Sequence, residues 1–489
     1  MELPEILQPR RNQIILGVVV FLLITILAVI FWPKPTAVAP DNTRVNLTWW
    51  KAFYGNEAYS DIIQDFKKLP GNQSVTINIV KKEWNDGYYK DLIGDIAGNA
   101  GPDIFTLRND DLPAYQRYMT PINQFSGRLL ADYKNDFVPL AVRDTIIKDK
   151  VYAVTSYVDN LQLYYNKNIL SQQGIALPPT TWSEMDRQIR TTQLNQSDTS
   201  KTKFNQSAIS LGLGFTDTNE NTNINRFQDI IPTLIFQNGG QLYDYQSSRS
   251  VFGSDRNSRD VNTGLATTKD FDSKNVNENN PAYRALSFYK NFSDPDSQRY
   301  SWNTLSNNNI DAFVEGRLAY IIHYSYFKDR IAARSDRLPY GVSELPQLDT
   351  SLKKTYGFFF MDGLNRKLQT DVDASPRDPV KIKKLKKAEE FMYYLSQRSA
   401  QTSFVTKTKL PGARRDVVAQ QIAADDNIRI FAGGSLYADN YYKPDVVKTE
   451  AIWGDMMYRI VFENQSLPDS LAEAIRDYNN LIQKGVSTR

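Results

Sequence analysis

From Val45 onward, short apolar runs alternate with longer stretches whose apolar residues recur every three or four positions. Val45-Asn46-Leu47-Thr48-Trp49-Trp50 reads as a strand, and Val75–Val80 has the two-residue period of another. Ala58–Leu69 brings Ile62, Ile63 and Phe66 to one side of a predicted helix. Tyr88–Ala97 predicts a second helix, and Asp103-Ile104-Phe105 opens a third strand. Val151–Tyr165 holds two strand-like stretches separated by Ser156 and Asp159-Asn160. Trp453–Phe462 and Ser470–Ile482 are amphipathic helices. Such alternation predicts an α/β fold. Two polar stretches, Thr191–Ser207 and Gln246–Asn280, are dense in turn formers, show no repeat and read as surface insertions.

The N-terminal pattern differs. Ile14–Trp32 is uncharged and apolar, and as a helix it would be roughly 28 Å long, close to a bilayer core. Arg10 and Arg11 precede it and Lys34 follows. The positive-inside bias therefore places residues 1–13 in the cytoplasm, makes 14–32 a transmembrane anchor and puts the rest outside. Ala37-Val38-Ala39 looks like a cleavage site, but Pro40 follows at once and the apolar run exceeds a usual signal core. The expectation is an uncleaved, single-pass anchor in the cell membrane, with residues 33–44 as a proline-rich, semi-stiff tether.

Composition narrows the chemistry. The 489 residues suffice for two or three domains. A net charge of +3 gives no electrostatic reason to expect nucleic acid. Cysteine is absent, which excludes disulfides, thiolate metal sites, Cys nucleophiles and a lipid-modified Cys anchor. No Gly-x-x-x-x-Gly-Lys-Ser/Thr loop occurs, so ATP hydrolysis belongs elsewhere. Asp217–Asn221 imitates a calcium loop but lacks the required Gly and Glu, having Thr222 and Gln228 instead. Gly212-Leu213-Gly214 lacks the third glycine of a dinucleotide loop. His323 is the only histidine, so a hydrogen-bonded structural role is expected and no cofactor or metal site follows. The five lysines of Lys381–Lys387 are expected on the solvated face of a helix.

A series of motifs resembles the bacterial extracellular solute-binding family that includes the maltose-binding protein. They are Leu47-Thr48-Trp49-Trp50, Gly101-Pro102-Asp103-Ile104-Phe105, Thr120-Pro121-Ile122 and Tyr152–Lys167, then Pro179-Thr180-Thr181-Trp182-Ser183-Glu184 and Gln237–Leu242. Ala312–Ala319, Tyr340–Pro346 and Leu410–Arg415 complete the series in the family's order. The resemblance implies two α/β lobes joined by a hinge, with ligand held in the cleft. Crossings are expected near Tyr157–Asn160, Thr355–Phe358 and Lys409–Ala413. One lobe would hold residues 45–157 and 357–409, the other 158–356 and 410–489. The implied function is capture of a carbohydrate for an ABC importer, by a monomer that hands its small-molecule ligand to membrane permeases and performs no chemistry. An anchored glycoside hydrolase, needing two close carboxylates, and a ligand sensor are the alternatives.

Sugars stack their C–H faces on aromatic rings and satisfy their hydroxyls with planar polar side chains. By analogy with the family, Trp50 and Tyr54 stand just past the first strand at the cleft, or else pack the strand end. Arg108, Asn109 and Asp110 follow the Gly-Pro-Asp strand, where Asn109 or Asp110 would alternatively cap the helix starting near Leu112-Pro113. Tyr157 and Asp159 lie on the first crossover and either face ligand or brace the hinge. Tyr326 stands where the family often has Trp, although Tyr324 replaces the usual Gly before it. Trp453 matches a late cleft aromatic or is core. The phenylalanines of Tyr356–Gly363 are expected in a strand's core.

Overall fold

The computed structural model describes residues 43–487, apart from positions 86, 124, 202 and 336, the pair 425–426, and segments 215–221, 246–248 and 253–278. The expected anchor at 14–32, nearly all of the tether, the calcium-like Asp217–Asn221 and most of Gln246–Asn280 lie outside the described residues. Among those described, no helix is long and apolar enough to cross a membrane.

The first lobe is built on a six-stranded sheet. The strands Val75–Lys81, Val45–Lys51 and Ile104–Arg108 run parallel. Phe360–Asn365 adds antiparallel to the last of these and carries Met119–Thr120 and Ala153–Thr155. The helix Asn56–Lys68 buries Ala58, Tyr59, Ile62, Ile63 and Phe66, a three-and-four spacing that lays one face on the sheet. Lys51 and Asp362 form an ion pair at 2.8 Å in this core, and Trp49 Nε1 and Thr106 Oγ1 also donate to the carboxylate. The lysine-rich helix Pro379–Leu395 buries Leu385, Ala388, Phe391, Met392 and Leu395. Of its five lysines only Lys386 is exposed, and the others are half-buried, Lys384 pairing with Asp103 and Lys387 with Glu390.

The second lobe has a five-stranded sheet ordered Gln196–Ser197, Phe204–Ile209, Leu318–His323, Gln162–Asn166 and Tyr340–Ser343. Phe204–Ile209 begins inside the polar stretch 191–207, so that stretch is not wholly a surface insertion. Its strand pairs in parallel with Leu318–His323, and only Ser207–Ile209 is buried. Thr181 starts the helix Trp182–Thr191 through a reciprocal capping box with Glu184, which explains the Thr-Trp-Ser-Glu wording of the sequence.

A three-stranded ribbon joins the lobes. Asp159–Asn160 lies antiparallel to Thr355–Phe358, which pairs in parallel with Ala438–Asp439 on its other side. The third hinge strand therefore falls later than Lys409–Ala413. Leu410, Ala413, Val417 and Val418 pack in the first lobe's core, and Gly412 bridges Tyr157. The expected boundary at 410 is therefore not where the cores divide: Ala432 and Ala438 still belong to the first, while Phe431 and the chain from Tyr441 onward belong to the second. At Gly357 a Cβ would lie 2.7 Å from Ala438 Cβ and 2.8 Å from Leu140 Cδ2, so the ribbon admits no side chain there.

Candidate functional site

Three parallel strands of the first lobe end at one place, and the residues just beyond them carry the polar and aromatic groups. Trp84 follows Val75–Lys81, Phe53 and Tyr54 follow Val45–Lys51, and Arg108 and Asp110 close Ile104–Arg108. Carboxyl ends of parallel strands are where an α/β sheet leaves loops free to meet ligand. Phe360, paired with Arg108 across the sheet, stands beside them. Opposite, Tyr324, Tyr326 and Arg330 follow the second-lobe strand Leu318–His323, and Arg226 and Asp229 begin the helix Phe227–Gln237. Tyr356 and Phe358 project from the hinge ribbon, while Lys443 and Glu450 come from beyond its last strand. All of these line one cavity of about 420 Å³, within the ordinary size range for small-molecule sites.

One wall is aromatic. Phe53, 41% exposed, lies 4.6 Å from Phe360, and Trp84 lies 4.7 Å from Phe360. A half-open aromatic cluster on a concave surface suits the apolar face of a sugar ring. Phe358 continues the wall toward Tyr324 at 4.6 Å. Another wall is ionic and joins the lobes. Arg108 Nε donates to Asp110 at 2.5 Å and its Nη2 reaches Glu450 at 3.2 Å. Lys443 Nζ meets Glu450 at 2.9 Å and Asp110 at 3.4 Å. Burial would raise the Glu450 carboxyl, but Lys443 and Arg108 outweigh it and hold it at about 2.

Asp159 sits where hinge and cavity meet. Its oxygens accept from Ser325 N at 3.0 Å, Ser325 Oγ at 2.9 Å and Asn160 N at 2.8 Å. Burial nevertheless dominates and pushes its carboxyl up to about 6. Burial also raises Asp229, whose Oδ2 accepts from Tyr324 Oη at 2.8 Å. His323 is fully buried, with Nε2 3.1 Å from Asn225 Oδ1 and Nδ1 accepting from Tyr324 N. Burial, reinforced by Arg226 and Arg330, depresses its pKa well below the usual value and keeps the ring neutral.

Of the residues singled out in the sequence, Tyr54, Arg108, Asp110, Tyr157, Asp159 and Tyr326 line the cavity together. Trp50, Asn109 and Trp453 do not. Trp50 is buried in the first lobe's core with Lys82 Nζ 3.7 Å from its ring centre. The central strand is covered on both faces, so neither Trp49 nor Trp50 is free. Asn109 donates to Asp144 at 2.7 Å and accepts from Phe359 N at 3.1 Å, bracing the sheet end. Trp453 donates to Tyr441 Oη at 2.7 Å inside the second core.

The phenylalanine-rich segment divides by face. Phe359 is core, whereas Tyr356, Phe358 and Phe360 reach the cavity. Their two-residue period was visible in the sequence. Nothing local marks Arg226, Lys443 or Glu450, which tertiary packing alone brings to the site.

Residues 61–430 match the sequence profile of the bacterial extracellular solute-binding protein family. The chain belongs to that family. As an extracellular solute-binding protein it belongs among binding proteins and not enzymes, so the hydrolase alternative is set aside. A binding protein of Brucella abortus (strain 2308) is 21% identical over 289 residues, 58% of this chain and 59% of the relative. The chain thus spans about 59% of the length of the curated relatives it matches. The sugar-binding protein MalE of Xanthomonas citri is similar in structure, at 17% identity and a TM-score of 0.66, covering 91% of this chain and 98% of that one. The cyclic alpha-maltosyl-1,6-maltose binding protein of Arthrobacter globiformis gives 15% identity and a TM-score of 0.65, covering 90% and 100%. These likenesses establish the two-lobed fold of this solute-binding protein.

Proposed function

We propose that this solute-binding protein captures a carbohydrate by closure of its lobes and delivers it to the permeases of an ABC importer. The observation that carries the reading is the Phe53–Trp84–Phe360 wall facing Arg, Asp and Tyr side chains across a cavity between lobes joined by a ribbon hinge. Each lobe supplies part of the contacts, so bound ligand favours the closed arrangement and closure is the signal a permease reads. The structurally similar proteins from Xanthomonas citri and Arthrobacter globiformis are named for sugar and maltosyl-maltose binding, which supports the same ligand class. In this reading the protein acts as a monomer, held at the membrane by residues 14–32 with its lobes outside the cytoplasm.

A thermal-shift screen against neutral and charged sugars, oligosaccharides, polyols, polyamines and amino acids tests the ligand class. A ligand at ~100 times its dissociation constant adds roughly 2.7 kcal/mol to the folded state, and sugars are expected to give the shifts. Shifts confined to amino acids or polyamines would refute the carbohydrate reading.

A further inference from the structure

Among the described residues, three buried polar atoms of the cavity lining have no hydrogen-bond partner: Arg226 Nε, Tyr326 Oη and Tyr356 Oη. Native interiors satisfy such groups, and leaving one unmet costs the full desolvation of that group. Two of the three, Arg226 Nε and Tyr326 Oη, belong to neighbouring side chains of the lining.

The charges there are unevenly matched. Arg108 and Lys443 are answered by Asp110 and Glu450 in the ionic wall. Asp159 is occupied by the Ser325 and Asn160 donors. Among the described residues the one ion-pair contact of Arg226 is Asp229, at 3.9 Å, too far for a hydrogen bond, with Glu450 acting on it from farther away. Burial raises the Asp229 carboxyl and Tyr324 already donates to it, which weakens it as a counter-ion. Arg330 stands 5.9 Å from the Tyr326 ring and has no carboxylate partner among the described residues. Arg226 lies at the same distance from that ring, so two under-compensated guanidinium groups border Tyr326.

The backbone adds an independent sign. Arg226 adopts φ +69° at the start of the helix Phe227–Gln237. That left-handed conformation is costly for a side chain with a Cβ, and such strain gathers at binding sites.

We infer that the ligand is an acidic saccharide, whose anionic group is held by Arg226 with the Tyr326 hydroxyl while Arg330 adds to the attracting field. The inference rests on the carbohydrate reading above and narrows it. A uronate carboxylate and a sugar phosphate share the chemistry: each offers several acceptor oxygens and a negative charge for the half-exposed Arg226 guanidinium.

The test is calorimetric titration of the full-length protein, solubilised in a detergent without a sugar headgroup, with matched pairs. Maltose, cellobiose and galactobiose are each set beside the form whose terminal hydroxymethyl is oxidised to a uronate, and glucose beside glucose 6-phosphate. In a pair that binds, the acidic member should bind about 10- to 100-fold more tightly, the range for a hydrogen bond to a charged group. Added salt should shrink the ratio, and Arg226→Gln should collapse it, with Arg226→Lys recovering part. The uronate and phosphate arms identify which acid is taken. Equal or tighter binding of the neutral member by the unaltered protein overturns the inference and leaves the carbohydrate reading standing. Binding of no saccharide in any pair overturns both. The comparison within the unaltered protein decides the matter even if a variant does not fold.

Discussion

Asp159 links pH to stability in a direction opposite to most carboxylates. Its carboxyl titrates at about 6 in the folded chain against an ordinary value of 3.8. Above pH 6 both folded and unfolded states are ionised, and the residue contributes no slope. Between 3.8 and 6 the folded state keeps a proton that the unfolded state has lost, so this group makes the protein more stable as pH falls. Integrating that linkage gives about 1.3 kcal/mol between pH 7 and pH 5 and roughly 2.4 kcal/mol by pH 4. Asp159→Asn removes the titration while keeping an acceptor for Ser325 N and a donor for Ser325 Oγ, the two contacts that fix the loop after Leu318–His323. Calorimetric melting of both proteins from pH 8 to pH 5 should show the unaltered chain gaining on the variant by about 1–2 °C, the shift expected for a chain of this size. Other buried carboxylates cancel in the difference. Parallel curves for the two proteins would mean that Asp159 titrates normally, and the account of its desolvation would be wrong.

Three further outcomes follow from the packing. Lys51→Met should cost about 3–5 kcal/mol in equilibrium denaturation because it strands the buried Asp362 carboxylate, and adding Asp362→Asn should recover part of the loss. Trp84→Ala and Phe360→Ala should each weaken sugar binding by about 1 kcal/mol or more if the wall stacks ligand, whereas Trp453→Ala should cost about 3–5 kcal/mol of stability as a core truncation. Affinity unchanged in both wall variants would remove the aromatic wall from the site. Glu450, held at about 2 against an ordinary 4.5, contributes stability that is full above pH 4.5 and lost as pH falls through 2. Its side chain is 32% exposed, and screening reduces the contribution to about 2 kcal/mol. Glu450→Gln should flatten that acid limb, and an acid transition identical to that of the unaltered protein would contradict the ion-pair account.

Local patterns were legible where one physical constraint acts on neighbouring residues. The two-residue period of Val75–Lys81 and the three-and-four spacing of Asn56–Lys68 each follow from burying one face. The Thr181–Glu184 pair announces a helix because both partners of its cap lie within four residues. The motif order from Trp49 to Arg415 was enough to indicate two lobes and a hinge. It also pointed to Tyr54, Arg108, Asp110, Tyr157, Asp159 and Tyr326, which stand where strands end at the cavity. Strand ends are set by local sequence, but which face of a strand meets a covering helix is not. Trp50 looked available from its position and is enclosed because the sheet is covered on both sides. The polar segment before Phe204 likewise gave no sign that its end would join the second sheet.

The sequence by itself determined the element types, the family and the strand-end positions of much of the site, because those depend on periodicity, caps and short motifs. The tertiary structure alone decided that Lys443 and Glu450 meet Arg108 and Asp110, residues more than 330 positions apart. It also decided that Arg226 faces Tyr326 and that the third hinge strand is Ala438–Asp439. Those contacts carry no local signature, since charge pairing and ribbon pairing are satisfied across the fold and not along the chain.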